Sequence, residues 1–425
     1  MGQPHIVIIG AGFGGLYAAR ALANHPVGVT LIDRHNFHTF SPLLYQVATC
    51  GLDPSGIAYP IRSIFRGANN IRFLLGEVSN IDTTERCVDI NTESGSRRIS
   101  YDHLILAAGS VTNFFGNSSL QAYGFGLKSL SDAVVLRNHI LKLFEQAAWV
   151  SDPNLRNALT TLVVVGGGPT GLETAGALFE LYQYILKEEY AKPPVAGPRV
   201  ILIEAQNHLL DPFPSSLQDS ALKQLQSLGV EVLLGALVDT VQENQVILKD
   251  GRVIPTHTLV WAAGVKASPL AEMLHVPLQR AGRVPVSNTL EVIGLQQVYV
   301  IGDMAYLEDE TGKPYPMLIP VAKQQGLRVA RNLLAQPSGR TVQPFTYRDR
   351  GIMATIGRSR AVAWIYYRVK MTGYLAWLAW LVLHLVWLLG FRNRLSVFVN
   401  WVWNYFTYDR SVRIILDQPK PRQSS

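Results

Sequence analysis

One local pattern occurs twice in this chain and constrains its fold more than any other feature. Ile6–Ile9 is a short β-branched run of buried-strand type, followed by Gly10-Ala11-Gly12-Phe13-Gly14-Gly15 and an alanine-rich helical stretch, Leu16–Ala23. A second strand, Val29–Ile32, ends in Asp33. The pattern returns at Leu162–Val165, with Gly166-Gly167-Gly168-Pro169-Thr170-Gly171, a helix from Leu172 onward, and a strand Val200–Ile203 ending in Glu204. Asp33 lies 18 residues after Gly15, whereas Glu204 lies 33 after Gly171, because a polar insertion around Lys187–Arg199 lengthens the second crossover.

A lone GxGxxG is weak, since glycine turns are common and some join strand to helix with no ligand. The strand before, the helix after and the acid beyond make each copy specific. Glycines let the backbone approach a pyrophosphate, the helix N-terminus supplies unpaired N–H groups, and the acid holds a ribose diol. The first copy therefore nominates Gly10, Gly12, Gly14, Gly15, Asp33 and the adjacent Arg34 for one dinucleotide. The second nominates Gly166, Gly168, Gly171 and Glu204 for another.

At 425 residues and 47.0 kDa the chain has room for two or three domains. Its 48% apolar and 16% charged composition excludes a disordered chain. The net charge of +7 raises the question of nucleic acid, but its distribution answers it. Residues 1–340 hold 26 Lys and Arg against 28 Asp and Glu, and residues 341–425 hold 12 against 3, together with six of the eight tryptophans. A basic, Trp- and Leu-rich tail is the composition of a membrane-surface element, so the expected partner is lipid and not nucleic acid. Cys50 and Cys87 are the only cysteines, 37 positions apart, which excludes a disulfide framework and a redox Cys pair. No His and Cys cluster has metal-ligand spacing, so no metal is expected, and His35, His38 and Cys50 are read as structural. The N-terminus lacks the pattern of a secretory signal, so the bulk of the protein is expected in the cytoplasm.

Tyr101–Ser110 and His257–Val265 read as strands ending in Ala-Ala-Gly, Val298–Ala305 as a strand ending in Gly302-Asp303, and Val321–Leu334 as a long helix. With the two glycine turns, these elements resemble the two-dinucleotide flavoprotein fold. That resemblance implies an α/β protein with two Rossmann-like domains, the second inserted in the first. An FAD domain at 1–120 and 280–340 would bind non-covalent FAD, and an NADH domain would occupy 155–275. It assigns Ala108, Gly109, Gly302 and Asp303 to FAD, with Ala322 on the FAD or quinone side, and Ala263 and Gly264 to the nicotinamide nucleotide. Asp303 would bond the ribityl chain, and a helix N-cap is its alternative reading. Glu204, followed by Ala205-Gln206-Asn207 with no Arg, favours NADH over NADPH. Glu173 is either a carboxylate stabilised by the first turn of its helix or, by the resemblance, a proton relay beside nicotinamide and flavin.

The tail, 341–425, is expected to associate with a membrane. Gly373–Gly390 has no formal charge and places Trp377, Trp380, His384 and Trp387 on one face. Leu395–Phe406 carries a thin polar stripe, Ser396, Asn400 and Asn404. Arg368, Lys370, Arg392, Arg394, Arg410 and Arg413 flank or separate the pair. An amphipathic anchor lying in the interface is the leading reading, against a spanning helix and against buried core helices or a homodimer interface.

Asp33–Arg66, Val163–Gly176, Phe345–Ala363 and Gly390–Phe406 together resemble the type II NADH dehydrogenases, single-chain NADH:quinone oxidoreductases of respiratory membranes. The resemblance implies two-electron transfer from NADH through FAD to a membrane quinone, without proton pumping, at the cytoplasmic face of the plasma or equivalent membrane. Quinone contacts in that family come from a motif like Ala-Gln-x-Ala-x-Gln-Gln, which nominates Gln324 and Gln325. Here the leading Ala-Gln is Ile319-Pro320. Gln46 is a further candidate. Two alternatives stay open: an NAD(P)H-dependent reductase of another naphthoquinone or plastoquinone-like precursor, and a soluble flavoprotein reductase of a small redox protein.

Overall fold

A computed structural model describes residues 3–186, 189, 199–409 and 412–415, so most of the Lys187–Arg199 insertion and Arg410 lie outside the described residues. In chain order the elements that position the sites begin with β1 (His5–Ile9), α1 (Phe13–Leu22), β2 (Gly28–Asp33), β3 (Ile71–Leu75), β4 (His103–Leu106) and α2 (Leu130–Trp149). They continue with β5 (Leu162–Val165), α3 (Pro169–Leu181), β6 (Val200–Ile203), β7 (Glu231–Leu233), β8 (Thr258–Trp261), β9 (Val298–Val300) and α4 (Ile319–Ala335). The tail adds β10 (Gly351–Gly357), β11 (Arg360–Ile365), β12 (Val369–Thr372), α5 (Gly373–Trp387) and α6 (Phe391–Thr407).

The chain divides into two compact units, Met1–Thr39 with Ala58–Val111 and Val265–Asp349, and Phe40–Ile57 with Thr112–Gly264 and Arg350–Ser425. The first is built on a parallel sheet in the order β9-β4-β1-β2-β3. Ile6 pairs with Val29 and Ile8 with Leu31, and both faces are covered, which is why β1 is an unbroken apolar run. The second repeats the scheme in the order Gly124–Phe125, β8, β5, β6, β7, with Val163 opposite Ile201. Its core gathers Val163, Val165, Ile201, Ile203, Leu259 and Trp261.

Both helices of the repeated pattern start three residues earlier than the sequence suggests, α1 at Phe13 and α3 at Pro169, because the last glycines of each loop already have helical geometry. The strands before Gly109, Gly264 and Asp303 end sooner than expected, since those small-residue turns leave the sheet. Helix α4 opens at Ile319-Pro320, so the residues that depart from the quinone motif start the helix, where a proline costs no hydrogen bond.

In the tail, β10–β12 form an antiparallel sheet packed on α3. A Cβ on Gly176 would lie 1.7 Å from the Ile356 carbonyl oxygen, so only glycine lets this strand and helix approach so closely. Among the described residues no helix is long and apolar enough to cross a membrane. The ring face of α5 turns inward, contrary to its reading as an interfacial face. Trp380 is 1% exposed and stacks on His384 at 3.8 Å, and Trp377 lies 5.5 Å from Tyr405. The polar stripe of α6 is likewise spent internally: the Asn404 amide donates to Asn400 Oδ1 at 2.7 Å and to the Gly51 carbonyl at 3.3 Å, while Ser396 is exposed. What these helices leave outside is aliphatic and Phe-rich, including Leu375, Val382 and Val399, with Phe391 81% and Phe406 78% exposed. The rings of Trp380 and His384 fill the gap beneath α5, while the outer face keeps aliphatic side chains together with Phe391, Phe406 and Trp403.

Candidate active site

In the first unit the glycine loop is locked by its own acid. Asp33 Oδ2 accepts from the Ala11 amide at 2.7 Å and Oδ1 from the His35 amide at 2.8 Å, while Arg34 stays exposed. A Cβ on Gly10 would meet the Ala107 carbonyl oxygen at 2.4 Å, and one on Gly15 the Gly10 carbonyl oxygen at 1.9 Å. Gly14 packs against Ile301, whereas a Cβ on Gly12 would meet nothing within 4 Å. The outer glycines thus serve close packing, and Gly12 opens onto space. Gly12 is also the N-cap of α1 and offers no side-chain bond to the first turn, an arrangement that suits an anion at the start of the helix. His38 is buried against Phe13, donates or accepts at the Ala11 carbonyl through Nδ1, and is held neutral by burial. Its Nε2 is buried without a protein partner.

The Gly-Asp turn closes the same unit. Asp303 lies in a single 3-10 turn, Gly302–Met304, well before α4, so the helix N-cap reading does not hold. The Ser110 hydroxyl donates to its carboxylate. Gly302 has φ of 72° and leaves room only for the small Ala322, whose Cβ would be 3.2 Å from a Gly302 Cβ. Gln325 Oε1 accepts from the Gly302 amide at 2.6 Å, and its buried Nε2 has no protein partner. Gln324 is engaged at both ends of its amide: Nε2 donates to the Arg348 carbonyl and Oε1 accepts from the Arg348 amide, both at 3.0 Å. Gly109, beside Ala108, has φ of 70° and accepts from the Ser268 amide at 3.0 Å.

The second unit reproduces the first loop. Glu204 accepts from the Gly167 amide through Oε2 and from the Gln206 amide through Oε1. A Cβ on Gly166 would meet Ala262 at 2.7 Å and Ala263 Cα at 2.9 Å, and one on Gly171 the Gly166 carbonyl oxygen at 1.8 Å, but one on Gly168 nothing within 4 Å. The Gly264 carbonyl accepts from the Asn113 amide at 3.1 Å, which ties the chain near Phe115 to the end of β8.

Glu173 stands in the second turn of α3, and that helix has no acid in its first turn, so the dipole reading falls away. Burial raises its carboxyl to about 8; hydrogen bonds from the Thr355 amide, at 3.4 Å, and from the Trp380 indole pull the other way. Burial holds the stacked His384 neutral, down to about 4, with its Nδ1 2.7 Å from the Trp380 carbonyl. Tyr45 approaches the Trp380 ring at 6.4 Å. Gln46 is committed on both sides, donating to the Tyr45 hydroxyl at 2.9 Å and accepting from the Trp401 indole at 2.8 Å. The roles of Trp380, Thr355 and Ser110 were not visible in the sequence. Only the coincidence of a Trp with a buried acid could have signalled the first, and no local motif encodes that.

Two parallel sheets, each with an open-centred glycine loop and a strand-end acid, are the framework of the pyridine nucleotide oxidoreductases. Residues 4–326 match the pyridine nucleotide-disulphide oxidoreductase family. The type II NADH:quinone oxidoreductase Ndh of Mycobacterium tuberculosis is 41% identical over 424 residues, covering 97% of this chain and 90% of that protein. Its NdhA counterpart in the same organism is 40% identical, covering 94% and 87%. The structure of NDH2 from Plasmodium falciparum in complex with NADH superposes with a TM-score of 0.89 at 20% identity, covering 98% of this chain and 100% of that one, which shows a shared fold. The chain belongs to the pyridine nucleotide-disulphide oxidoreductase family and, within it, to the type II NADH:quinone oxidoreductases.

Proposed function

We propose that this chain oxidises NADH, passes two electrons through a non-covalent FAD and delivers them to a membrane quinone. The observation that carries the reading is the pair of glycine loops, each locked by its acid and each open at its middle glycine. The first unit fits FAD: Gly12 leaves space for a diphosphate, and His38 Nε2 and Gln325 Nε2 are buried polar atoms awaiting partners. Gly10, Gly12, Gly14, Gly15, Asp33, Arg34, Ala108, Gly109, Gly302 and Asp303 would hold it. When bound, it supplies a centre that accepts hydride and then reduces a quinone. Gly166, Gly168, Gly171, Glu204, Ala263 and Gly264 would hold NADH, and the Glu204 carboxylate disfavours a 2′-phosphate.

Reduction of a quinone needs two protons. Glu173, with its carboxyl raised to about 8, can hold a proton at neutral pH and give it up, which suits it to supply one. Gln325, whose buried Nε2 donates to no group of the chain, is the better supported of the quinone-side glutamines. Gln324 and Gln46 use both ends of their amides within the chain, and we assign them to shaping the site. The exposed apolar outer faces of α5 and α6, with Arg392 and Arg394 at the start of α6, support docking on a membrane surface, which we take to be the cytoplasmic face of an energy-transducing membrane. Steady-state oxidation of NADH and NADPH with ubiquinone, menaquinone and plastoquinone analogues tests the reading. NADH should be preferred, and failure of every quinone with either nucleotide overturns it.

A further inference from the structure

Phe114–Asn117 is a tight turn in the second unit, with the Asn117 amide bonded to the Phe114 carbonyl at 3.0 Å. Both central residues are left-handed, Phe115 at φ 51° and Gly116 at φ 75°. Turns of this kind normally place Asn, Asp or Gly at the first central position, and a bulky side chain there is strained. Asn113 holds the turn in place: its side chain accepts from the Phe115 amide at 2.9 Å and its carbonyl from the Trp261 indole at 2.8 Å. Phe114 packs inward against the Trp261 cluster, whereas Phe115 meets the Trp261 ring only edge-on, at 6.3 Å between centroids, and is 65% exposed. A strained backbone that presents a large apolar ring to solvent costs stability twice, and such strain concentrates at ligand clamps.

The position of the ring gives it a use. In this sheet the acid closes β6, the glycine loop follows β5, and Ala262-Ala263-Gly264 follow β8, in the spatial order β6, β5, β8. Ligands of such sheets lie across the carboxyl ends of the strands. A nucleotide with its ribose at Glu204 and its pyrophosphate over Gly168 therefore runs toward β8, and its other end passes Gly264. The Phe115 ring stands there: its Cζ is 3.0 Å from where a Gly264 Cβ would be, and Gly264 follows directly on Ala263, which touches Gly166. We propose that Phe115 covers the nicotinamide end of the bound nucleotide, ring against ring. This rests on the NADH reading of the second unit and adds to it a contact outside the glycine motif.

The test compares two ligands that differ only in the nicotinamide. NAD⁺ and ADP-ribose are titrated calorimetrically into the oxidised full-length protein and its variants. Phe115→Ala should weaken NAD⁺ by about three- to ten-fold, the range for losing one aromatic contact, and leave ADP-ribose within two-fold. Phe115→Tyr should bind both as the parent does. Phe115→Gly, which suits the left-handed backbone, should melt no lower than the parent and still bind NAD⁺ weakly, so that poor folding of the Ala variant cannot mimic the result. Equal loss of both ligands, or loss of neither, overturns the proposal. A parent protein that binds neither ligand overturns the NADH reading beneath it.

Discussion

Gln325 and Gly302 are joined by a 2.6 Å hydrogen bond, from the turn amide to the side-chain oxygen, in a place where neither residue meets water. Helix α4 thereby fixes the turn that aims Asp303. Gln325→Ala should leave the Gly302 amide unpaired in the interior and cost about 1–3 kcal/mol, read as a lower denaturation midpoint.

Glu173 sets a pH dependence of known sign. Its carboxyl is raised from an ordinary 4.5 to about 8, so the folded chain keeps the proton that the unfolded chain releases. Stability from this group is full below about 4.5, declines as pH rises toward about 8, and is level above that. Denaturant midpoints measured across this window should fall less steeply for Glu173→Gln than for the parent. Parallel curves would show that the carboxyl titrates normally.

The glycines of each loop should separate folding from binding. Gly15→Ala forces a methyl to 1.9 Å from the Gly10 carbonyl oxygen and should lower the melting temperature sharply. Gly12→Ala enters open space at an ordinary φ of −66°, so the protein should melt nearly as the parent does but retain less flavin after gel filtration. Gly168→Ala should likewise spare folding and weaken NADH.

Glu204→Gln keeps an acceptor for the Gly167 amide and removes the charge. The ratio of kcat/KM for NADPH to that for NADH should rise by about ten-fold, the scale of one lost charge repulsion of about 1.4 kcal/mol. An unchanged ratio would place the ribose elsewhere.

Val382→Glu with Val399→Glu places two charges on the outer faces of α5 and α6 without touching Trp380 or Asn404. Co-sedimentation with anionic lipid vesicles should drop at least ten-fold while the thermal midpoint stays close to that of the parent. Removal of the whole tail is a poorer test, because it also strips Trp380 from Glu173.

The strand, glycine loop, helix and acid of each unit lie within some forty residues, and their roles follow from local sterics. Gly15 is a glycine because the loop folds onto itself, Gly10 because the chain at the end of β4 passes close to it, and Asp33 and Glu204 reach the loop from the adjacent parallel strand. Sequence alone therefore determined both dinucleotide folds and the acids that close them. It also determined that the tail carries two strongly apolar helices. It did not determine which way those helices face, because periodicity says that two faces differ but not which of them meets the body. The tertiary structure decided that the rings of Trp380 and His384 turn inward, and that Glu173 shares its carboxyl with Thr355, 182 residues away. Contacts at that separation arise from competition among all surfaces for burial, and no short stretch of chain encodes the outcome.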